Sequence, residues 1–373
     1  MMRSLVEDAI ARESGPGTGI TEAGMLDQDQ RVDAELEQIL RSLKTNIKII
    51  GVGGGGTNTV ARIHDEGIVG AELYAANTDA QHLLVLRVPH KILLGRRVTR
   101  GLGAGALPQI GEEAAREAED ELKKILADTH ICFITCGLGG GTGTGAASVV
   151  ARMAKEMGAL TIAVATLPFK GEGKMRMENA EWGLDKLRDS ADTVIVIPND
   201  KLLEVVPRLS LNAAFKVADE VLMRSIKGLT EVITRPGLVN LDFNDVKTIM
   251  KGAGVAMIGL GESDAPGDDR IMEAIEQAIN SPLLDVDISE ANGVLIDVIG
   301  GTDMTISEAQ RAAEEIQARV GPNARIIWGA AVDPALDKTI RVMLVATGVK
   351  SSQILGKQAE KRYKGIGEVD LVR

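Results

Sequence analysis

The chain has 373 residues and a net charge of −11, a length that suggests two domains at roughly 150 residues each. Glycine is abundant at 42 residues, whereas rings are scarce, with two Trp, two Tyr and four Phe. The acidic balance excludes a general attraction to phosphate backbones, and the shortage of rings excludes a nucleic-acid binder built on stacking platforms. Cys132 and Cys136 fit no zinc or redox spacing and read as buried thiols in a reducing, cytoplasmic setting. No apolar run approaches the ~18 residues of a membrane-spanning helix, so direct membrane insertion is not expected. The acids in MMRSLVEDAIARES argue against a secretory leader.

Residues 1–46 read as an N-terminal arm followed by an amphipathic helix over roughly 29–44, on the spacing of Val32, Leu36, Ile39, Leu40 and Leu43. From Ile47 apolar strands alternate with helices. Strands are expected at 47–52, near 72–76, at 91–94, 130–137 and 160–167, with 193–198 closing the series. Residues 110–127 read as strongly helical, and further helices are expected to follow the strands at 137 and 167. Repeated strand–helix units rich in Ile and Val predict a parallel sheet covered on both faces. This first domain spans 47–210. Residues 211–234 form one long amphipathic helix of roughly 36 Å, stopped by Arg235-Pro236-Gly237. A smaller α+β domain over 237–348 follows, with strands near 254–260, 293–299, 324–330 and 340–347. The last two, joined across Asp333-Pro334, are expected to pair antiparallel. Residues 349–373 read as a tail.

Two glycine-rich segments carry chemistry. GVGGGGTN (51–58) follows a strand and opens a helix, so its backbone N–H groups and the helix dipole favour an anion. The spacing Gly51-x-Gly53-x-x-Gly56 also satisfies the dinucleotide fingerprint of NAD-dependent oxidoreductases. GLGGGTGTG (137–145) repeats the arrangement, and Thr142 and Thr144 offer additional hydroxyls. One such loop suffices for a dinucleotide, so the pair disfavours a dehydrogenase. A Walker-type P-loop is absent, because Gly173-Lys174 is followed by Met175. Asn240-x-Asp242-x-x-Asp245 reads on its own as a helix start, with Asp242 as N-cap. His64, His82, His90 and His130 form no ligand spacing and read as structural.

GGGTGTG (139–145) resembles the phosphate loop of the tubulin superfamily. NTDAQ (77–81), GLGAGALPQIG (101–111), PFKGEGKMRM (168–177), PND (198–200) and GLVNLDFND (237–245) follow in the matching order. Over roughly 47–348 the chain resembles the prokaryotic cell-division GTPases of that superfamily, and its long N-terminal arm resembles the archaeal members. The resemblance implies a tubulin-like, Rossmann-type α/β GTPase domain, a long central helix and a smaller α+β C-terminal domain.

It further implies GTP/GDP and Mg²⁺ as ligands, the metal being held mainly by nucleotide and water rather than by side chains. Gly53, Gly54, Gly55, Gly56, Thr57 and Asn58, with Gly140, Gly141, Thr142 and Gly143, would wrap the phosphates. Ala104 and Gly105 would face the γ-phosphate, Glu172 the ribose, and Arg176 would lie beside the nucleotide. Asn199 and Asp219 would recognise guanine and Phe215 would stack on it; Phe215 and Asp219 lie i,i+4 on the long helix.

In the superfamily the loop at 237–245 enters the next subunit's site. Asn240, Asp242 and Asp245 would therefore orient the attacking water in a neighbouring copy. The implied activity is GTP hydrolysis coupled to head-to-tail assembly into a filament at the division site. A non-division cytoskeletal role for a related GTPase is the alternative. Ile366, Val369, Leu371 and Val372 near the C-terminus suggest a docking peptide for a membrane-tethering adaptor. No nucleic-acid partner is expected.

Overall fold

The computed structural model describes residues 45–205, 210–234, 237–239, 241–267, 269–284 and 286–349. The arm, the expected helix at 29–44, Asn240 and the tail from 350 lie outside the described residues.

The chain runs β1 (Ile47–Val52), α1 (Gly53–Glu66), β2 (Ala71–Asn77), α2 (Ala80–Val85) and β3 (His90–Leu93). It continues with α3 (Pro108–Glu117), α4 (Glu119–Leu126), β4 (Ile131–Gly137), α5 (Thr142–Glu156) and β5 (Leu160–Leu167). After α6 (Lys174–Ser190), β6 (Thr193–Pro198) and α7 (Asn199–Val205) comes the long helix α8 (Leu211–Thr234). The remainder is α9 (Phe243–Met250), β7 (Gly254–Ser263), α10 (Asp269–Ile279), β8 (Gly293–Gly300), α11 (Ile306–Arg319), β9 (Arg325–Val332) and β10 (Ile340–Thr347).

All ten strands join one sheet in the order β3-β2-β1-β4-β5-β6-β7-β10-β8-β9. From β3 to β7 the pairing is parallel. Alternate residues of each central strand enter opposite cores, as strand geometry requires. Ile49, Phe133 and Ile162 pack with Ala218, Leu222 and Ile226 of α8. Ile50, Cys132 and Ile134 pack on the other face with Ala146 and Val150 of α5. Both layers continue without a break under β7, β8 and β10.

Two expectations need correction. First, β6 does not end the series: Thr193–Ile195 pairs with Gly254–Ala256, carrying the sheet into the C-terminal part. Second, β9 and β10 are not partners. β10 lies antiparallel between β7 and β8, while β9 pairs parallel with β8 at the edge. The parallel β8–α11–β9 crossover places β9 first. The connection over 333–339 then steps past β8, a distance of ~10 Å that seven extended residues easily cover. β10 is buried almost throughout, so the central slot removes more apolar surface from water than an edge hairpin would. The helical reading of 110–127 holds, as two helices broken at Ala118 (φ −92, ψ 11). Glu117 turns its carboxylate to the backbone N–H groups of Arg97 and Val98. Glu119, Asp120 and Glu121 then supply the acidic first turn that favours a new helix start.

Candidate functional site

The carboxyl ends of β1, β4, β5 and β6 open into a cavity of about 620 Å³, large enough for a nucleotide. Two helices begin there. Neither α1 nor α5 has a side-chain N-cap, and neither carries an acid in its first turn. Two helix ends with unsatisfied N–H groups and no counter-charge of their own make a strong anion site.

The glycines serve two distinct purposes. At Gly54, Gly105 and Gly140 an added Cβ meets nothing within 4 Å, so these residues open the cavity. Gly53 instead has φ +73, and a Cβ there would stand 2.5 Å from the Gly143 nitrogen. A Cβ on Gly56 would lie 2.1 Å from the Thr135 carbonyl oxygen. Gly53 and Gly56 thus let the two loops and the sheet approach, and neither lines the cavity.

Gly54, Gly55, Asn58, Ala104, Gly105, Gly140, Gly141, Thr142 and Gly143 line the cavity together with Glu172, Arg176, Asn199 and Phe215. Thr57 is buried, and its hydroxyl donates to the Gly53 carbonyl at 2.8 Å. Thr142 meets the Thr78 hydroxyl at 2.6 Å. Thr144 faces inward instead: its Oγ1 accepts from Gly139 N–H at 2.8 Å, closing the loop rather than lining the cavity. Glu172 pairs with Arg176 and accepts from the Phe169 N–H at 2.9 Å.

At the other end Phe215, 37 % exposed, stands edge-on to buried Phe169 with ring centroids 5.2 Å apart. Asn199 is buried, yet its Oδ1 has no hydrogen-bond partner. An orphaned acceptor at a cavity wall fits an occupant that donates a hydrogen bond there. Asp219 lies one residue beyond cavity-lining Ala218 and ion-pairs with Arg62 at 3.6 Å. Burial raises its carboxyl from 3.8 to about 6, against the lowering effect of Arg62.

Asp242 and Asp245 do not line this cavity. They form a capping box at the start of α9: Asp242 Oδ1 accepts from Asp245 N–H at 2.9 Å, and Asp245 Oδ2 accepts from Asp242 N–H at 3.3 Å.

Sequence reasoning did not single out four residues of the site. Arg62, on α1, sets the charge environment of Asp219. Asn77, Asp79 and His82 line the cavity. The signal for Asn77 and Asp79 was available in the NTDAQ string that ends β2 and opens α2.

The family model described as "Tubulin/FtsZ family, GTPase domain" matches residues 46–207, and "FtsZ family, C-terminal domain" matches 254–350. "Cell division protein FtsZ 1" of Archaeoglobus fulgidus is 57 % identical over 373 residues, covering 100 % of both chains. "Cell division protein FtsZ" of Haloferax mediterranei is 53 % identical, covering 99 % of this chain and 98 % of its own. Among solved structures, the empty FtsZ dimer of M. jannaschii superposes with a TM-score of 0.81 at 54 % identity, covering 85 % of this chain and 92 % of that one. CetZ2 of Haloferax volcanii shares the fold at 20 % identity, with a TM-score of 0.73 and coverage of 86 % and 98 %. With a cavity framed by two uncapped helix starts and full-length relatives above half identity, the chain belongs to the Tubulin/FtsZ family, as one of its FtsZ cell-division GTPases.

Proposed function

We propose that the cavity binds GTP and that hydrolysis requires the 237–245 loop of a second copy, in a head-to-tail filament at the division site. One observation carries this reading. The cavity's described lining carries two carboxylates: Glu172 is neutralised by Arg176, and Asp79 sits at the start of α2, accepting from His82 N–H. The remaining acids of the reading, Asp242 and Asp245, lie outside the cavity on the same chain. The 237–245 loop of a neighbouring copy would add two carboxylates to orient the attacking water, and a heterologous contact that repeats without closing gives a filament.

In the binding half, the backbone N–H groups of α1 and α5 and their loops take the phosphates. Phe215 stacks on the base, Asn199 Oδ1 accepts from it, and the Asp219 carboxylate accepts from the N1–H and 2-amino group of guanine. Glu172 receives the ribose hydroxyls. Among the described residues no group of three or more His, Cys, Asp or Glu side chains is placed to hold a metal ion. Mg²⁺ would be held mainly by phosphate oxygens and water, where it would neutralise charge on the transferring phosphoryl group. In the catalytic half, Asn240, Asp242 and Asp245 of the neighbour orient the water, and a carboxylate accepts its proton. Helix α8 joins the base side of the cavity to the segment that carries this loop.

The M. jannaschii FtsZ was solved as a dimer, which supports self-association here. Among the described residues no helix is long and apolar enough to cross a membrane. Attachment to the membrane is assigned to an adaptor that docks on the C-terminal tail.

The test is GTP turnover per molecule against protein concentration, with sedimentation in parallel. A threshold shared by turnover and polymer is expected, and concentration-independent turnover would overturn the shared site. Asp242→Asn keeps a good N-cap while removing the carboxylate. It should abolish turnover yet bind GTP normally. Loss of binding in that variant would place Asp242 in its own chain's site instead.

A further inference from the structure

We propose that His82 is a positioning residue for nucleotide binding: it fixes the side-chain amide of Asn58 with the NH₂ group as the donor offered to the nucleotide. The inference rests on the reading of the cavity as a GTP site.

Asn77 Oδ1 accepts from Thr78 N–H at 2.8 Å and from Asp79 N–H at 3.4 Å. Backbone N–H groups can only donate, so the orientation of this amide is fixed and its Nδ2 is the remaining donor. Asn77 Nδ2 lies 3.0 Å from His82 Nδ1. Nδ1 must therefore accept, which places the imidazole proton on Nε2. The Thr57 hydroxyl, 3.3 Å from the same nitrogen, has its proton directed to the Gly53 carbonyl at 2.8 Å or the Gly54 carbonyl at 3.1 Å. Nε2–H then donates to Asn58 Oδ1 at 3.0 Å.

His82 is itself held in place. Its backbone N–H donates to Asp79 Oδ1 at 3.0 Å, at the start of α2. The chain of bonds thus runs from the backbone at 78, through Asn77 and the imidazole, to Asn58. Each member has one free choice, and its predecessor has already made it.

The consequence appears at the cavity wall. Asn77 has its oxygen on the backbone and one of its two amide N–H groups on His82. Asn58 has only its oxygen engaged, and no described protein group accepts from its Nδ2. Asn58 and His82 both line the cavity. An asparagine free to rotate its amide would present oxygen or nitrogen equally, and the oxygen would repel phosphate or ribose acceptors. His82 removes that alternative before the ligand arrives, which is preorganisation.

The experiment uses the full chain and equilibrium binding of fluorescently labelled GDP, with GTP turnover in parallel. His82→Leu keeps the bulk of the side chain but neither polar end. It should weaken GDP binding roughly tenfold, the scale of one well-placed hydrogen bond. KM for GTP should rise similarly while kcat at saturation holds, because the contact is made equally in ground and transition states. His82→Gln can still accept from Asn77 and donate to Asn58, and should restore binding to within about threefold of wild type. In an Asn58→Ala background, His82→Leu should have almost no further effect, since the two act through one contact.

Equal losses in His82→Leu and His82→Gln, or additive losses with Asn58→Ala, would overturn the proposal and leave His82 a packing residue. If His82→Leu does not fold, Asn58→Asp decides: replacing the donor by an acceptor must weaken GDP binding more than Asn58→Ala does, and the reverse order refutes the inference. A wild-type chain that fails to bind GDP would instead sink the nucleotide-site reading itself, so the two failures are distinct.

Discussion

The proposed recognition of guanine by Asp219 makes a quantitative prediction about pH. The carboxyl must be ionised to accept from two guanine donors, yet burial raises it to about 6. GDP binding by the wild-type chain should therefore weaken as pH falls from 8 to 5, with a midpoint near 6. Arg62 opposes the rise, and its guanidinium sits 3.6 Å from Asp219 Oδ2. At that separation a charge pair near a protein surface is worth roughly 4 kcal/mol before screening. Arg62 is a third exposed and Asp219 a fifth, so about 1 kcal/mol is a fair net value. Arg62→Leu should then move the midpoint upward by ~0.7 pH unit. The variant should bind GDP about threefold more weakly than wild type at pH 6, less than twofold more weakly at pH 7, and equally at pH 8.5.

Equilibrium dialysis with labelled GDP avoids turnover and assembly. The unliganded chain gives an independent check on sign. A carboxyl that holds its proton more tightly folded than unfolded costs stability as pH rises from 3.8 towards 6, so bound GDP should stabilise more at pH 7.5 than at pH 5.5. Binding that is flat between pH 5 and 8, or a midpoint that moves down in Arg62→Leu, would refute the assignment of Asp219.

Four further outcomes follow from the geometry. Asp297 is buried, its Oδ1 lacks a partner, and burial, with Glu231 close by, raises its carboxyl to about 8; thermal unfolding should show stability falling as pH rises from about 4 to 8, and Asp297→Asn should flatten that slope. Arg270 bonds buried Glu308 at 2.7 and 3.1 Å and Asp303 at 2.5 Å, so Arg270→Met strands a buried carboxylate and should cost about 3–5 kcal/mol in urea unfolding. A Cβ on Gly145 would stand 1.9 Å from the Pro108 carbonyl oxygen, and Gly145→Ala should force α3 and α5 apart at a cost of about 1–3 kcal/mol in the same assay. Cys132 and Cys136 are buried and their thiols are pushed up to about 12, so neither should react with a thiol reagent until the chain unfolds.

The parts of this fold written in local periodicity were legible. The expected strand at 47–52 and the long helix at 211–234 match β1 and α8 in extent. Pairing was less legible because it is a global choice. Nothing local in IRVMLVAT tells a hairpin partner of β9 from a strand buried between β7 and β8. The break at Ala118 was readable in its three following acids, but the helical pattern on either side masked it. In the site, the glycine loops and the capping residues Asp242 and Asp245 could be read from spacing. His82 and Arg62 could not, because their roles depend on partners 24 and 157 positions away. Spacing also did not separate Gly53 and Gly56, which permit packing, from Gly54, which opens the cavity. That distinction exists only once β4 and α5 are in place.

The charge of the cavity gives a physical reason for the proposed division of the site between two molecules. Its described lining carries Asp79 and Glu172 against the single guanidinium of Arg176, which Glu172 already neutralises. Nothing in that wall offers net positive charge to a triphosphate, in a chain whose own charge is −11. Binding must therefore draw on backbone N–H groups and the two helix dipoles, which attract an anion without carrying a formal charge. Two further carboxylates fixed inside such a cavity would repel the γ-phosphate at every binding event. Placing Asp242 and Asp245 on a separate capped helix removes that repulsion while GTP binds. In the proposed filament their charge would be added only when a neighbouring copy docks, when a water needs to be oriented. The capping box holds both acids in register before docking, so assembly brings in a preorganised group and does not pay to order it. A chain that carried its own base in the cavity would bind GTP more weakly and hydrolyse it without assembling.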